Sequence, residues 1–201
     1  MKQSSKLLCC LMIISSFLLT SCATTILTTV WKDESFTGPV RKMAVIGIFK
    51  TPAIRNFFED EFSRQLKTHG IEAVASYTII PIDDQSDKDI VASKLRNLGM
   101  DFVLVTRLVD RKTVQTYIPG QAYMVPGYYR SWGGYYQYAY SPGYLVEDTY
   151  AYAETNIYDV KNDKLIWSAR SETEISGVNQ ELIRSFVKIM IDRLSADAVI
   201  R

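Results

Sequence analysis

Met43-Ala44-Val45-Ile46-Gly47-Ile48-Phe49 is an unbroken apolar run, long enough for a strand and too short for a helix. A strand buried on both faces has no reason to alternate, so the run reads as the centre of a sheet that is covered on both sides. Thr51-Pro52 follows, an N-cap and first-turn pair. Ile54, Phe57, Phe58, Phe62 and Leu66 then recur at helical spacing, until Gly70 supplies a stop. Strand leading directly into helix is the opening of a βαβ unit.

The pattern repeats further along. Residues 71–76 read as a second strand. Asp87 caps a second helix carrying Ile90, Val91, Leu95 and Leu98, stopped by Gly99. Residues 102–109 read as a third strand that continues to about residue 116. Two crossovers at this spacing predict a largely parallel sheet. The character then changes. Residues 145–160 and 165–175 read as long strands joined by the polar turn Lys161-Asn162-Asp163-Lys164, an antiparallel hairpin. On the later strand Leu165, Trp167, Ala169, Ser171, Thr173 and Ile175 share one face, and Arg170, Glu172 and Glu174 the other. A helix over about 180–198 closes the chain, with Leu182, Ile183, Phe186, Val187, Met190 and Leu194 on one side. The expected order is β-α-β-α-β-β-β-α in a single α/β domain with a mixed sheet.

The amino terminus has a different logic. Lys2 and Lys6 precede a mostly apolar stretch, residues 7–19, and Leu19-Thr20-Ser21-Cys22 ends it. This resembles a bacterial lipobox, with cleavage between Ser21 and Cys22. The stretch falls short of the ~20 apolar residues of a membrane-spanning helix. An ordinary cleaved signal peptide is the competing reading, and no A-x-A site stands nearby. The resemblance implies that residues 1–21 are removed and that Cys22 carries a thioether-linked diacylglycerol, with a further acyl group such as palmitate on the new amino terminus. It implies a lipid bilayer as first partner. Ala23 follows the cysteine where an Asp would favour inner-membrane retention, so the expected address is the outer membrane, facing the periplasm. Residues 22–30 are expected to be a Thr-rich lipidated tether and residues 31–201 the domain.

Cysteine and charge agree with that partition. Cys9 and Cys10 lie in the leader and Cys22 is acylated, which leaves no thiol for a disulfide. Without Lys2 and Lys6 the 23 basic and 22 acidic residues become 21 and 22. That balance gives no footprint for nucleic acid and no polybasic membrane patch.

The closing segment carries a second resemblance. Glu154-Thr155-Asn156-Ile157-Tyr158-Asp159 and Lys164-Leu165-Ile166-Trp167-Ser168-Ala169-Arg170-Ser171, taken with the lipobox, look like a group of uncharacterised bacterial envelope lipoproteins. The architecture is similar to periplasmic α/β domains of the Tol translocation protein's amino-terminal part, the curli-secretion lipoprotein and penicillin-binding-protein activator lipoproteins. The matching motifs are structural. The long membrane hairpins of the curli pore are not evident, and pore formation is not carried over.

Residues 117–144 stand apart in composition. Nine of these 28 residues are Tyr and one is Trp132, among five glycines and three prolines, with Arg130 the single charge. A connection this long inside a compact domain is functional or disordered. One reading is a contact surface, since Tyr offers rigid area and a hydroxyl. Its candidate partner-binding residues are Tyr128, Tyr129, Trp132, Tyr135, Tyr136, Tyr138 and Tyr140, and its candidate partners another envelope protein or peptidoglycan. The other reading is a low-complexity flap lying on its own sheet. A membrane-crossing hairpin is a third, opposed by Pro126, Gly133-Gly134 and Pro142.

No catalytic constellation emerges. His69 is the single histidine, placed at a helix end where a dipole contact explains it. There is no G-x-S-x-G and no phosphate-binding glycine loop. Residues 83–89 suggest a calcium loop but lack the sixth-position glycine, and Lys94 stands in place of the bidentate Glu. Glu59-Asp60-Glu61 reads as the wet side of the first helix. The expectation is therefore a non-enzymatic interaction or assembly module without cofactor or metal. The alternative is a lipoprotein that binds glycan or a small ligand through its Tyr-rich loop.

Overall fold

A computed structural model describes residues 25–38, 40–81, 84, 87–118, 144–175 and 177–201. The expected α/β class is what it shows: one open six-stranded mixed sheet with three helices. In chain order these are β1 (Thr25–Lys32), β2 (Lys42–Ile48), α1 (Pro52–Thr68), β3 (Glu72–Ala75), α2 (Lys88–Asn97), β4 (Phe102–Ile118), β5 (Tyr144–Asp159), β6 (Leu165–Glu174) and α3 (Gln180–Ala196).

The sheet runs β1-β6-β5-β4-β2-β3. β2 is parallel to both β3 and β4, as two crossovers require, and the remaining neighbours are antiparallel. Both faces of β2 are covered, which is why its sequence does not alternate. Met43 and Val45 pack with Phe58, Phe62, Leu66, Trp167, Val187 and Met190 under α1 and α3. Ala44 faces the other way, into a smaller cluster with Leu95 of α2, Ile80, Met100 and Val160.

The helix ends follow the expected chemistry with one exception. Asp87 accepts hydrogen bonds from the Asp89 and Ile90 amides, and Asn179 caps α3 through the Leu182 amide. Gly70 and Gly99 take the left-handed φ of a helix stop, +76° and +64°. Thr51 holds the cap position of α1, but its side chain makes no capping bond, and the residue lines a cleft described below.

One expectation is corrected. Of the tether assigned to residues 22–30, the part from Thr25 onward belongs to β1, an edge strand that pairs with β6 from Thr25↔Thr173 to Lys32↔Trp167. The observed order thus gains a strand at its amino-terminal end. The pairing shifts register between Leu27 and Thr29, so Leu27 and Val30 both turn toward the core. Among the described residues, no helix is long and apolar enough to cross a membrane.

Candidate functional site

The sequence-designated residues lie largely outside what the structure describes. Ser21 and Cys22 do, and so do Tyr128, Tyr129, Trp132, Tyr135, Tyr136, Tyr138 and Tyr140. The structure does describe the stem that carries the Tyr-rich segment. β4 and β5 continue past the end of every other strand, and the six pairs from Thr113↔Thr149 to Ile118↔Tyr144 form a two-stranded ribbon. At ~3.3 Å per residue it projects ~20 Å from the body. Val114, Tyr117, Ile118, Tyr144 and Leu145 are exposed on it. Thr113 and Thr149 share a hydroxyl–hydroxyl bond of 3.2 Å, and the Gln115 amide donates to Glu147. A bare two-stranded ribbon is marginal in water, so such surface is suited to being covered.

At the foot of this ribbon, on the face that α1 and α3 cover, the core opens into an apolar cleft of about 610 Å³. The sequence explains where. Along β5 the inward positions shrink from Ile157 to Thr155, Ala153 and Ala151. Along β6 they shrink from Trp167 to Ala169, Ser171 and Thr173. Large side chains fill one end of the sheet and small ones floor the other. The hydroxyls of Thr106 and Thr155 pair with each other at 2.9 Å, so the floor carries little unmet polarity. Ile54 and Phe58 of α1 form one wall, and Leu182, Ile183 and Phe186 of α3 the other. A bulge in β4 after Leu108 resets its pairing and brings Arg111 opposite Ala151, over the opening. Lys50 and Arg111 are the charged residues among the described lining, which otherwise holds aliphatic and aromatic groups and three threonines. The volume and lining are those of a small-molecule site. No single stretch of sequence announces it, because its walls come from six elements.

Behind the α1 wall lies a polar cluster that the sequence reading misplaced. Glu59 and Glu61 are not on a wet side. Glu59 is fully buried, and Asp60 alone of the three is exposed. Glu59 Oε1 accepts from the Gly47 amide (2.9 Å), Arg55 Nε (2.7 Å) and the Ser76 hydroxyl (2.9 Å). Oε2 accepts from the Tyr77 amide at 2.8 Å. Four donors, one of them a guanidinium, replace the water this carboxylate loses. Glu61 is held below the usual carboxylate range by its bonds to Arg64, with Gln65 also donating.

Glu154 lies on the wet face between Arg107 (3.1 Å) and Arg170 (3.7 Å). The Asn156 amide, more than either arginine, holds its carboxyl below the ordinary range. His69 is the C-cap of α1, and its Nδ1 is 2.8 Å from the backbone oxygen of Arg201. Asp84 pairs with Lys94 at 2.7 Å; residues 83, 85 and 86 of the segment 83–89 lie outside the described residues.

No protein-family model matches this chain, and no curated protein matches it. Solved structures that resemble it include the PelC dodecamer from Paraburkholderia phytofirmans, at 14% identity, 89% of this chain, 99% of that one and a TM-score of 0.46. Lipoprotein GNA1162 from Neisseria meningitidis matches at 14% identity over 79% of this chain and 99% of that one, TM-score 0.43. The hypothetical protein CT253 from Chlamydia trachomatis matches at 13% identity over 78% and 99%, TM-score 0.37. One of these neighbours is thus a bacterial lipoprotein. Likeness at this level carries no argument about activity, which has to come from this chain's own residues.

Proposed function

We propose that this chain is a lipid-anchored lipoprotein of the bacterial envelope, facing the periplasm from the outer membrane, that serves as a non-enzymatic interaction or assembly module. The lipobox residues support the address. The observation that carries the rest is that one end of the domain collects its unusual features. β1 runs antiparallel to β6, so the chain enters at Thr25 beside Thr173, at the end where β6 stops and the ribbon leaves the body. Lipid attached three residues before Thr25 puts the bilayer, the ribbon and the cleft on the same side. The Tyr-rich segment then works near the membrane surface, where aromatic side chains with one polar end are at home.

Fractionation of Cys22→Ala tests the anchor: the protein is expected soluble or unprocessed, and unchanged membrane association overturns it. Crosslinking and pull-down from native membranes, with and without residues 121–141, tests the module. A protein partner lost on deletion, with the fold intact, supports it. Co-sedimentation with peptidoglycan instead supports a glycan-binding lipoprotein. The aliphatic cleft, with few groups to bond sugar hydroxyls, favours an apolar ligand over a glycan.

A further inference from the structure

We propose that the apolar cleft receives one of the acyl chains carried by Cys22, so that the domain docks onto its own anchor. This rests on the lipid-anchor reading and adds to it a binding site and its occupant.

Position is the first argument. Thr25 Oγ1 lies 2.9 Å from Thr173 Oγ1, and Thr173 lines the cleft. Three extended residues reach ~11 Å at most, so the Cys22 Cα cannot be further than that from the Thr25 Cα. The direction agrees as well, because the chain leading into Thr25 comes from the end of the sheet at which Ile175 and Val178 border the cleft.

Size and chemistry are the second. A methylene takes up about as much room as a water's ~30 Å³ share of the liquid, so the cleft holds roughly 20 such groups. That is one long acyl chain and not three. The walls offer such a chain Ile54, Phe58, Leu182 and Phe186, with no acid and no histidine among the described lining residues. Lys50 and Arg111 at the mouth suit a bilayer's phosphates while the chain lies inside.

Competition is the third. A chain tethered this closely is present at an effective concentration in the millimolar range, far above that of lipid monomers dissolved in water. One chain withdrawn into the protein still leaves the others in the bilayer, and two suffice for stable attachment. The domain would then sit in a fixed pose on the membrane instead of swinging on its tether.

The test uses the full-length chain, made in cells fed a palmitate analogue with a diazirine near its methyl end. Membranes are irradiated, and crosslinked peptides are identified by mass. The expected products join the Cys22 lipopeptide to cleft peptides of β5 and α3. Ala153→Trp, which fills the floor, should lose most of them while Cys22 stays labelled. Leu182→Glu, at a partly exposed position of α3, should do the same, with an unchanged circular dichroism spectrum as the check on folding. A labelled Cys22 with no cleft crosslinks overturns the proposal. Cleft peptides joined to phospholipid instead overturn it too, by giving the site to a membrane lipid. Absence of label on Cys22 defeats the anchor reading itself, a result recognisable by the unmodified Cys22 peptide.

Discussion

Glu59 of α1 accepts the backbone N–H of Gly47 in β2, oxygen to nitrogen 2.9 Å, where a neighbouring strand would ordinarily have done so. Arg41 and Lys42 show the parity. The Arg41 carbonyl accepts from Glu72 of β3, and that of Lys42 from Asp101, beside β4. Odd-numbered residues of β2 therefore face β3. But β3 ends at Ala75, paired with Val45, and the chain turns away at Ser76, whose carbonyl takes the Ile79 and Ile80 amides. Gly47 is the first amide left over, and the Glu59 carboxylate stands in for the missing strand.

Replacing Glu59 by Leu should accordingly be severe. It strands the buried Arg55 charge and orphans two amides, for an expected loss of about 3–5 kcal/mol. The double variant Arg55→Met/Glu59→Leu should recover part of this, since no lone charge stays inside. Urea unfolding of the two singles and the double measures it. Additivity within ~0.5 kcal/mol would show that the pair does not act as a unit.

A side chain at position 47 should also be costly. A Cβ there would stand 2.8 Å from the Phe49 ring and 3.0 Å from that of Phe58. Gly47→Ala is expected to destabilise by about 1–3 kcal/mol through overpacking. Adding Phe49→Leu should restore much of it, and thermal melts of the three variants decide.

Asp33 gives a pH signature. Hydrogen bonds from Lys164, and next from Ser35, pull its carboxyl down to about 2. The folded value lies below the ordinary one, so the contact contributes fully above pH 4 or so and fades as pH falls toward 2. Carboxyl NMR titration should find this low midpoint. Lys164→Met should return it toward the usual aspartate range, and an unmoved midpoint would mean that Ser35 alone holds it.

The ribbon should contribute little to global stability. Val114→Ser/Leu145→Ser alters residues 44% and 62% exposed, so unfolding free energy should shift by ~0.5 kcal/mol or less. Amides of residues 113–118 and 144–149 should exchange hydrogen well before those of Met43 and Val45. A large shift, or slow exchange, would show the ribbon packed against something.

How much of this was legible depended on distance along the chain. Local patterns sufficed for the central strand, the capped helices and the closing hairpin, because their burial repeats with the period of the element itself. β1 was hidden because its bulge turns Leu27 and Val30 inward together, which spoils two-residue alternation and leaves a Thr-rich stretch resembling a linker. Glu59 looked solvent-facing because the groups that satisfy it, at Gly47, Ser76 and Tyr77, lie 12 to 18 residues away. The cleft was the least visible, being a taper in side-chain size spread across six elements. The Tyr-rich residues themselves lie outside the described ones.

The edge pairing of β1 bears on how the domain would resist force. A pull on the proposed anchor would act through Thr25, outward along the strand axis. The hydrogen bonds of an antiparallel pair run across that axis. Tension would load the seven β1–β6 residue pairs together, in shear, instead of peeling them apart one after another from an end. A strand mistaken for a slack leash is, mechanically, the part of the fold best placed to take the strain.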